Sequence, residues 1–111
     1  MPAALIFELH ADVCKTLANP WRLRLIHALR HGERPVAQLI RELGIPKANV
    51  SQHLSIMRAR GVVESRREGA FVYYRLADPR IVDAFRLMRE VLLRRLRRTG
   101  DLVKRERGRT A

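Results

Sequence analysis

The 111-residue sequence predicts a mainly α-helical domain that carries one small β-hairpin. Three observations predict this fold class. Apolar residues recur with helical spacing in several segments, residues 62–76 have the two-residue period of strands, and Gly or Pro separates the segments. The length suits a single hydrophobic core. We therefore expect about five helices and a two-stranded hairpin in one domain.

Apolar positions predict a first helix over residues 5–17 and a second over residues 21–31. Asn19 and Pro20 precede the second helix as an N-cap and a first-turn proline. The first helix carries Phe7 beside its main apolar stripe, so its apolar face is broader than one packing contact requires. We expect this helix to contact something besides its own core.

Two short helices with a tight turn between them are predicted next. Residues 36–43 fit the i, i+3, i+4, i+7 pattern, and only Gly44 to Pro46 separate them from a helix that begins at Lys47. This arrangement is typical of a helix-turn-helix. The second helix has an apolar stripe, and several polar residues lie off that stripe: Asn49, Ser51, Gln52 and His53.

The alternating segment over residues 62–76 predicts a hairpin with Glu68-Gly69 at its turn. Arg66 and Arg67 stand near its tip. Tyr73 and Tyr74 point to opposite faces, so one is expected in the core while the other is available to a ligand or DNA. A polar helix face beside a basic hairpin is typical of a protein that reads the major groove and contacts phosphates with the hairpin.

Asp78-Pro79 predicts the start of a long last helix. Its apolar residues cover more than one face, as expected if it packs both on the core and on a second copy of the chain. Beyond it the composition is strongly basic. We predict a DNA-binding and dimerisation domain over residues 1–98 and a flexible basic tail over residues 99–111.

The net charge of +12, from 23 Lys and Arg against 11 Asp and Glu, favours a polyanionic partner, with nucleic acid first. No apolar run approaches the ~18 residues that a membrane-spanning helix requires, and no export signal is recognisable. The single cysteine excludes an intrachain disulfide. These features predict a cytoplasmic protein without a membrane partner.

Several motifs, in this order, resemble the ArsR/SmtB family of winged helix-turn-helix repressors. They are the run over residues 17–26, Val50-Ser51-Gln52-His53-Leu54, Arg66-Arg67-Glu68-Gly69 and Tyr73-Tyr74-Arg75-Leu76. The resemblance covers about residues 10 to 97. It implies a cytoplasmic homodimer, built on the first and last helices, that binds double-stranded DNA at an inverted-repeat operator and releases it when an inducer binds. The inducer is not indicated.

By position, the resemblance implies that Ser51, Gln52 and His53 read base edges and that Lys47 and Asn49 lie nearer to phosphates. Arg66 and Arg67 resemble the family's contacts from the hairpin, which is called the wing. We add Tyr74 as the tyrosine available to DNA. The sequence departs from the family pattern at Pro46, where a Ser or Thr cap is usual, and at Ala70, where the wing often carries another basic residue.

The metal sites of the family cannot be built from the side chains present. Residues 36–43 contain no Cys or His, and the last helix contains no His. The i, i+4 pairs His10/Cys14 and His27/His31 lack further ligands. We therefore predict no metal and no cofactor. Cys14 is open to three interpretations: a thiol or redox sensor, a dimer cross-link, or an inert packing residue.

An enzyme is not predicted, because the sequence has no Gly-rich phosphate loop and no nucleophile elbow. The alternative is a sequence-independent architectural DNA-binding protein, because the positive charge alone would support such binding. An RNA-binding protein fits less well, since the hairpin lacks the paired aromatic residues of a stacking platform.

Overall fold

The computed structural model describes residues 2–100 and Gly108. Within this part of the chain the element order is α1 (Ala3–Leu17), α2 (Pro20–Ala28), β1 (Arg34–Pro35), α3 (Val36–Leu43), α4 (Lys47–Ala59), β2 (Val63–Glu68), β3 (Phe71–Leu76) and α5 (Arg80–Thr99). The predicted winged helix-turn-helix is confirmed. Most of the predicted basic tail, residues 101–107 and 109–111, lies outside the described residues.

The chain forms two compact units, residues 1–79 and residues 80–111. The core of the first unit is built from α2, α3, α4 and the start of the hairpin. The predicted stripe of α4 is buried, with Val50, Leu54 and Met57 each at most 1% exposed. This burial fixes which face of α4 is turned away from the core, since a helix that buries one stripe presents its other positions outward.

Local capping explains where α2 begins and ends. Asn19 Oδ1 accepts hydrogen bonds from the backbone N–H groups of Trp21 (2.9 Å) and Arg22 (3.3 Å). Pro20 follows as the first helical residue, where its missing N–H costs nothing. The helix ends at Ala28, three residues earlier than predicted, because residues 29–32 continue as turns that lead to Gly32 at φ 125°.

The turn between α3 and α4 depends on Gly44. This residue has φ 68°, the left-handed conformation that glycine adopts without a Cβ clash, and its N–H donates to the Ile40 carbonyl at 3.0 Å. Pro46 then precedes α4 without a side-chain cap. Its backbone carbonyl accepts from the N–H groups of Asn49 (3.0 Å) and Val50 (3.2 Å), so α4 begins without the usual Ser or Thr.

The sheet has three strands in the order β1-β3-β2, one more than the predicted two-stranded hairpin. β2 and β3 pair antiparallel from Val63↔Leu76 to Glu68↔Phe71. The added strand is only two residues long and places Arg34 opposite Tyr74. Its Pro35 has no N–H to donate, which is tolerated on an edge strand. The sequence pattern did not indicate β1, since two residues cannot show an alternation.

Helix α5 forms most of the second unit and exposes much of its predicted apolar stripe. Leu96 is buried, but Met88 and Leu92 are 66% and 49% exposed. In the first unit α1 likewise exposes a set of apolar side chains: Leu5, Ile6, Phe7 and Leu9. Single exposed apolar residues are ordinary, whereas several along one helix form a patch. Among the described residues no helix is both long and apolar enough to cross a membrane.

Candidate nucleic-acid interface

The outward side of α4 carries the polar residues singled out from the sequence. Lys47, Asn49 and Gln52 are exposed, and Ser51 and His53 are half-buried. All five lie within two turns of the helix. Amide, hydroxyl and imidazole groups of this kind offer both hydrogen-bond donors and acceptors.

An open groove of about 570 Å³ lies between α3, α4 and β3. Lys47, Ser51 and Ser55 of α4 line one side, and Phe71 and Val72 of β3 line the other. Phe71 is 59% exposed, which is unusual for a side chain of its size. The polar side of α4 and the hairpin therefore border one concave surface.

His53 accepts a hydrogen bond from Arg22, a residue of α2. Its Nδ1 accepts a hydrogen bond from Arg22 Nε at 3.2 Å, and Arg22 Nη1 also donates to the Thr16 carbonyl at 2.8 Å. Burial, and then the charge of Arg22, lowers the pKa of His53. We infer that the neutral ring carries its proton on Nε2, since Nδ1 acts as an acceptor. His53 thus joins α4 to α2 and keeps one donor for a ligand.

Arg66 is engaged by two carboxylates and a ring, a group that we call the Arg66 cage: Glu33, Arg66, Glu68 and Tyr73. Arg66 donates to Glu33 from Nε (2.9 and 2.8 Å to its two oxygens) and from Nη2 (2.6 Å). Its Nη1 donates to Glu68 at 2.8 Å. The guanidinium carbon lies 4.4 Å from the centroid of the Tyr73 ring. All three guanidinium nitrogens are therefore engaged.

The cage also changes the ionisation of its members. The hydrogen bond that Arg66 donates lowers the pKa of Glu33, and the hydrogen bonds that Glu33 and Glu68 accept raise the pKa of Arg66. Glu33 lies between α2 and β1, 33 positions from Arg66 in sequence. Sequence reasoning did not find this partner, because no local spacing connects a loop residue with a distant strand.

Arg67 differs from its neighbour. Its side chain is exposed and makes no hydrogen bond or ion pair with any other residue that the structure describes. On β3, Arg75 pairs with Glu64 at 2.7 Å. Arg67 is thus an uncompensated positive charge on the hairpin.

The prediction that Tyr74 contacts DNA is wrong. Tyr74 is 7% exposed and shares the inner face of β3 with Leu76, so its ring packs in the core. The alternation of the strand was predicted correctly, but the two tyrosines were assigned to the wrong sides. The outward tyrosine is Tyr73, and the Arg66 guanidinium stacks on its ring.

Cys14 is a free, exposed thiol on α1, rather than a buried packing residue. Within residues 2–100 no three His, Cys, Asp or Glu side chains are grouped closely enough to hold a metal ion. The redox interpretation of Cys14 stays a prediction.

A helix-turn-helix whose second helix presents polar groups beside a β-hairpin defines a winged helix-turn-helix DNA-binding protein, in which α4 is the recognition helix and β2–β3 the wing. Residues 19–65 match the sequence model of the bacterial regulatory protein family arsR. The chain belongs to this ArsR family. The relatives below are named as transcriptional regulators, and the family is not one of enzymes.

The HTH-type transcriptional regulator Rv0081 of Mycobacterium tuberculosis is 36% identical over 95 residues, which cover 85% of this chain and 83% of that protein. Its crystal structure superimposes with a TM-score of 0.76, covering 85% of this chain and 95% of that chain. The HTH-type transcriptional repressor SmtB of the same organism is 40% identical over 77 residues, 69% of this chain and 57% of that protein.

A solution structure from Mycobacterium bovis is similar as well. It is described as a homodimeric winged helix-turn-helix DNA-binding domain of a possible ArsR-family regulator. That chain is 34% identical to this one and superimposes with a TM-score of 0.74, covering 84% of this chain and 86% of that chain.

Proposed function

We propose that this protein is a cytoplasmic transcriptional repressor that binds an inverted-repeat operator as a homodimer. The observation that carries the proposal is the polar, outward side of α4 next to the exposed, uncompensated Arg67 of the wing. The combination supplies base-reading groups on α4 and a phosphate contact on the wing. The relative SmtB is named a repressor, which supports the direction of regulation.

Base recognition is assigned to α4. Gln52 is exposed on this helix, and a glutamine amide can pair with adenine N6 and N7 in the major groove. Ser51 and the Nε2–H of His53 lie on either side of it and can donate to base acceptors. Lys47 and Asn49, in the first turn, are assigned to the DNA backbone.

The dimer is assigned to the apolar residues that α1 and α5 expose. Leu5, Ile6 and Phe7 on α1, and Leu87, Met88 and Val91 on α5, are each at least 40% exposed. A second copy of the chain is the occupant that fits, because the M. bovis neighbour is described as homodimeric. A twofold dimer presents two recognition helices to two inverted half-sites.

The decisive experiment selects bound duplexes from a random pool and compares their binding with that of unselected DNA. Gln52→Ala should lose ~1–3 kcal/mol of discrimination at one position of the selected sequence. Arg67→Ala should weaken selected and random duplexes about equally and reduce the slope of log affinity against log salt by about 0.9. Arg67→Lys, which retains the charge, is the matched control and should keep most of the slope.

A pool that yields no preferred sequence would contradict the proposal. The proposal would also be contradicted if Gln52→Ala lowered the affinity for selected and random duplexes by the same factor, because the contribution of a base-reading residue must depend on sequence. Either result would favour the rival function, a sequence-independent architectural protein that binds through charge alone.

A further inference from the structure

We propose that Glu33 restricts each wing to one phosphate-binding arginine, Arg67, by holding Arg66 in the Arg66 cage. This inference rests on the proposed DNA-binding function. It reverses the role that the sequence suggests for Arg66: the residue anchors the wing to the loop between α2 and β1, and does not contact DNA. Glu33 thereby lowers the sequence-independent share of binding.

The geometry of the hydrogen bonds is the first argument. Arginine binds phosphate best through a fork of two parallel N–H donors. In Arg66 the fork formed by Nε and Nη2 is occupied by the carboxylate of Glu33, with donor–acceptor distances of 2.6 to 2.9 Å. Glu68 accepts a hydrogen bond from Nη1, and the Tyr73 ring covers one face of the guanidinium plane. A phosphate would have to displace Glu33 to gain the same fork.

The charge of the cage is the second argument. Two carboxylates against one guanidinium leave a formal net charge of −1. Because Arg66 lowers the pKa of Glu33, this charge is complete at neutral pH. The cage itself therefore offers an approaching phosphate no net positive charge. The adjacent Arg67 has no acidic partner among the described residues and keeps its full attraction for phosphate.

The strength of the cage is the third argument. An isolated surface ion pair contributes little, but a bidentate arginine pair within a network is the exception. Arg66 makes such a pair, shares a second carboxylate and stacks on a ring. A comparable pair within the wing, Arg75 with Glu64, is made by two nitrogens to a single oxygen. This pair is the natural control.

A charge-neutral double variant tests whether Arg66 contacts phosphate. Glu33→Gln with Arg66→Gln removes the ion pair and leaves the net charge of the protein unchanged. We expect the salt slope on a random duplex to equal that of the wild type, as in the control pair Glu64→Gln with Arg75→Gln. A decrease of about 0.9, the value expected for Arg67→Gln, would overturn the inference, because it would show a lost phosphate contact.

The single variant Glu33→Gln tests whether Glu33 withholds the arginine. Freeing Arg66 should raise the salt slope by up to about 0.9 and tighten random-duplex binding roughly threefold at moderate salt. Glu64→Gln, which also removes one negative charge but breaks the pair with Arg75 instead, should have a smaller effect. Equal effects of the two variants would show that the change in net charge alone explains the tighter binding. That result would contradict the role proposed for Glu33. Weaker binding by Glu33→Gln would mean that Glu33 presents Arg66 to DNA, which also contradicts it.

A measurement on the unaltered protein complements the variants. In a ¹⁵N NMR spectrum the Nε–H signal of Arg66 should persist unshifted when a random duplex is added, while signals of Arg67 should move. A shifted Arg66 signal would overturn the inference. If the wild-type protein bound no DNA at all, the proposed function itself would fail. If the protein bound DNA and the Arg66 signal shifted, only the role proposed for Glu33 would be refuted.

Discussion

His53 shows how one side chain can serve both the fold and the site. Its Nδ1 accepts a hydrogen bond from Arg22, and its Nε2 makes no hydrogen bond with any other residue that the structure describes. A histidine that accepts a hydrogen bond in this way must be neutral, because the protonated ring has no acceptor. Protonation would therefore break the link to Arg22 and place two positive charges side by side.

This arrangement predicts a pH-dependent contribution to stability. The pKa of His53 is lowered in the folded protein, so the unfolded chain takes up the proton first as the pH falls. The contribution of His53 is complete above the unfolded pKa of about 6.5 and decreases as the pH falls below it. His53→Asn, whose amide oxygen can replace Nδ1 as acceptor, should lose less free energy of unfolding between about pH 7.5 and 5 than the wild type.

The measurement is urea unfolding at several pH values. His31→Asn, at an exposed position after α2, is the control for the substitution itself. If the wild type and His53→Asn showed the same change with pH, the titration of His53 would have no part in the pH dependence of stability.

At the residue scale, the sequence predicted which positions of a helix are buried better than it predicted the contacts of individual side chains. The buried stripe of α4 followed from its spacing and is confirmed at Val50, Leu54 and Met57. Which tyrosine of the pair faces the core did not follow, since strand alternation separates neighbours without saying which side is inside. The Glu33 partner of Arg66 was equally invisible, because such a contact exists only after the chain has folded.

At the scale of elements, the α3–α4 turn depends on one backbone conformation. Gly44 has φ 68°, and a Cβ built at this position would meet nothing within 4 Å. A side chain would therefore have space, and the cost would come from the left-handed backbone alone. Gly44→Ala should lower the free energy of unfolding by about 1–2 kcal/mol.

Gly44→Asn is the matched variant, because asparagine tolerates the left-handed region better than alanine. Its cost should be clearly smaller than that of alanine when both are measured by denaturant unfolding. Equal costs would indicate that the loss arises from packing or from the unfolded state instead of from the backbone angle.

The helices and the hairpin were predictable because each has a periodic pattern and a defined stop. Strand β1 was not, since Arg34 and Pro35 give no period, and proline argues against a strand interior. The strand is defined by the pairing of Arg34 with Tyr74, which is a tertiary contact. The ion pairs of Arg66 with Glu33 and Glu68 were not predicted, because counting arginines takes no account of nearby carboxylates.

At the scale of the whole molecule, we predict a homodimer at micromolar concentration. Phe7 on α1 is 72% exposed, and Phe71 on the wing is 59% exposed. Because burying a charge without a partner is costly, Phe7→Glu should shift the protein towards monomer, whereas Phe71→Glu should leave the dimer intact. Sedimentation equilibrium distinguishes the two. A wild-type monomer would contradict both the dimer and the inverted-repeat operator.

We also predict that Zn²⁺, Cd²⁺ and arsenite do not release the operator at submicromolar concentration. Thiophilic ions are normally held by three or four ligands, and one cysteine per chain supplies only two thiols per dimer. If a signal releases the operator, we expect it to be an organic effector or a chemical change of the exposed Cys14. Operator binding should be measured with each metal and with peroxide.

Cys14→Ser is the control for the response to peroxide. A response that the serine variant loses would support a thiol sensor, and a response that it keeps would exclude Cys14 as the cause. Release by a submicromolar metal would refute the argument from ligand supply.

The strand order β1-β3-β2 leaves β2 on the outside of the sheet, paired on one side only within the described residues. Such an edge offers free backbone N–H and C=O groups to any other extended chain, and proteins guard such edges with charge. Four of the six residues of β2 are charged: Glu64, Arg66, Arg67 and Glu68. The mixed charges of the wing therefore also protect the molecule against strand-to-strand aggregation, and a wing made uniformly neutral would lose this protection before it lost its fold.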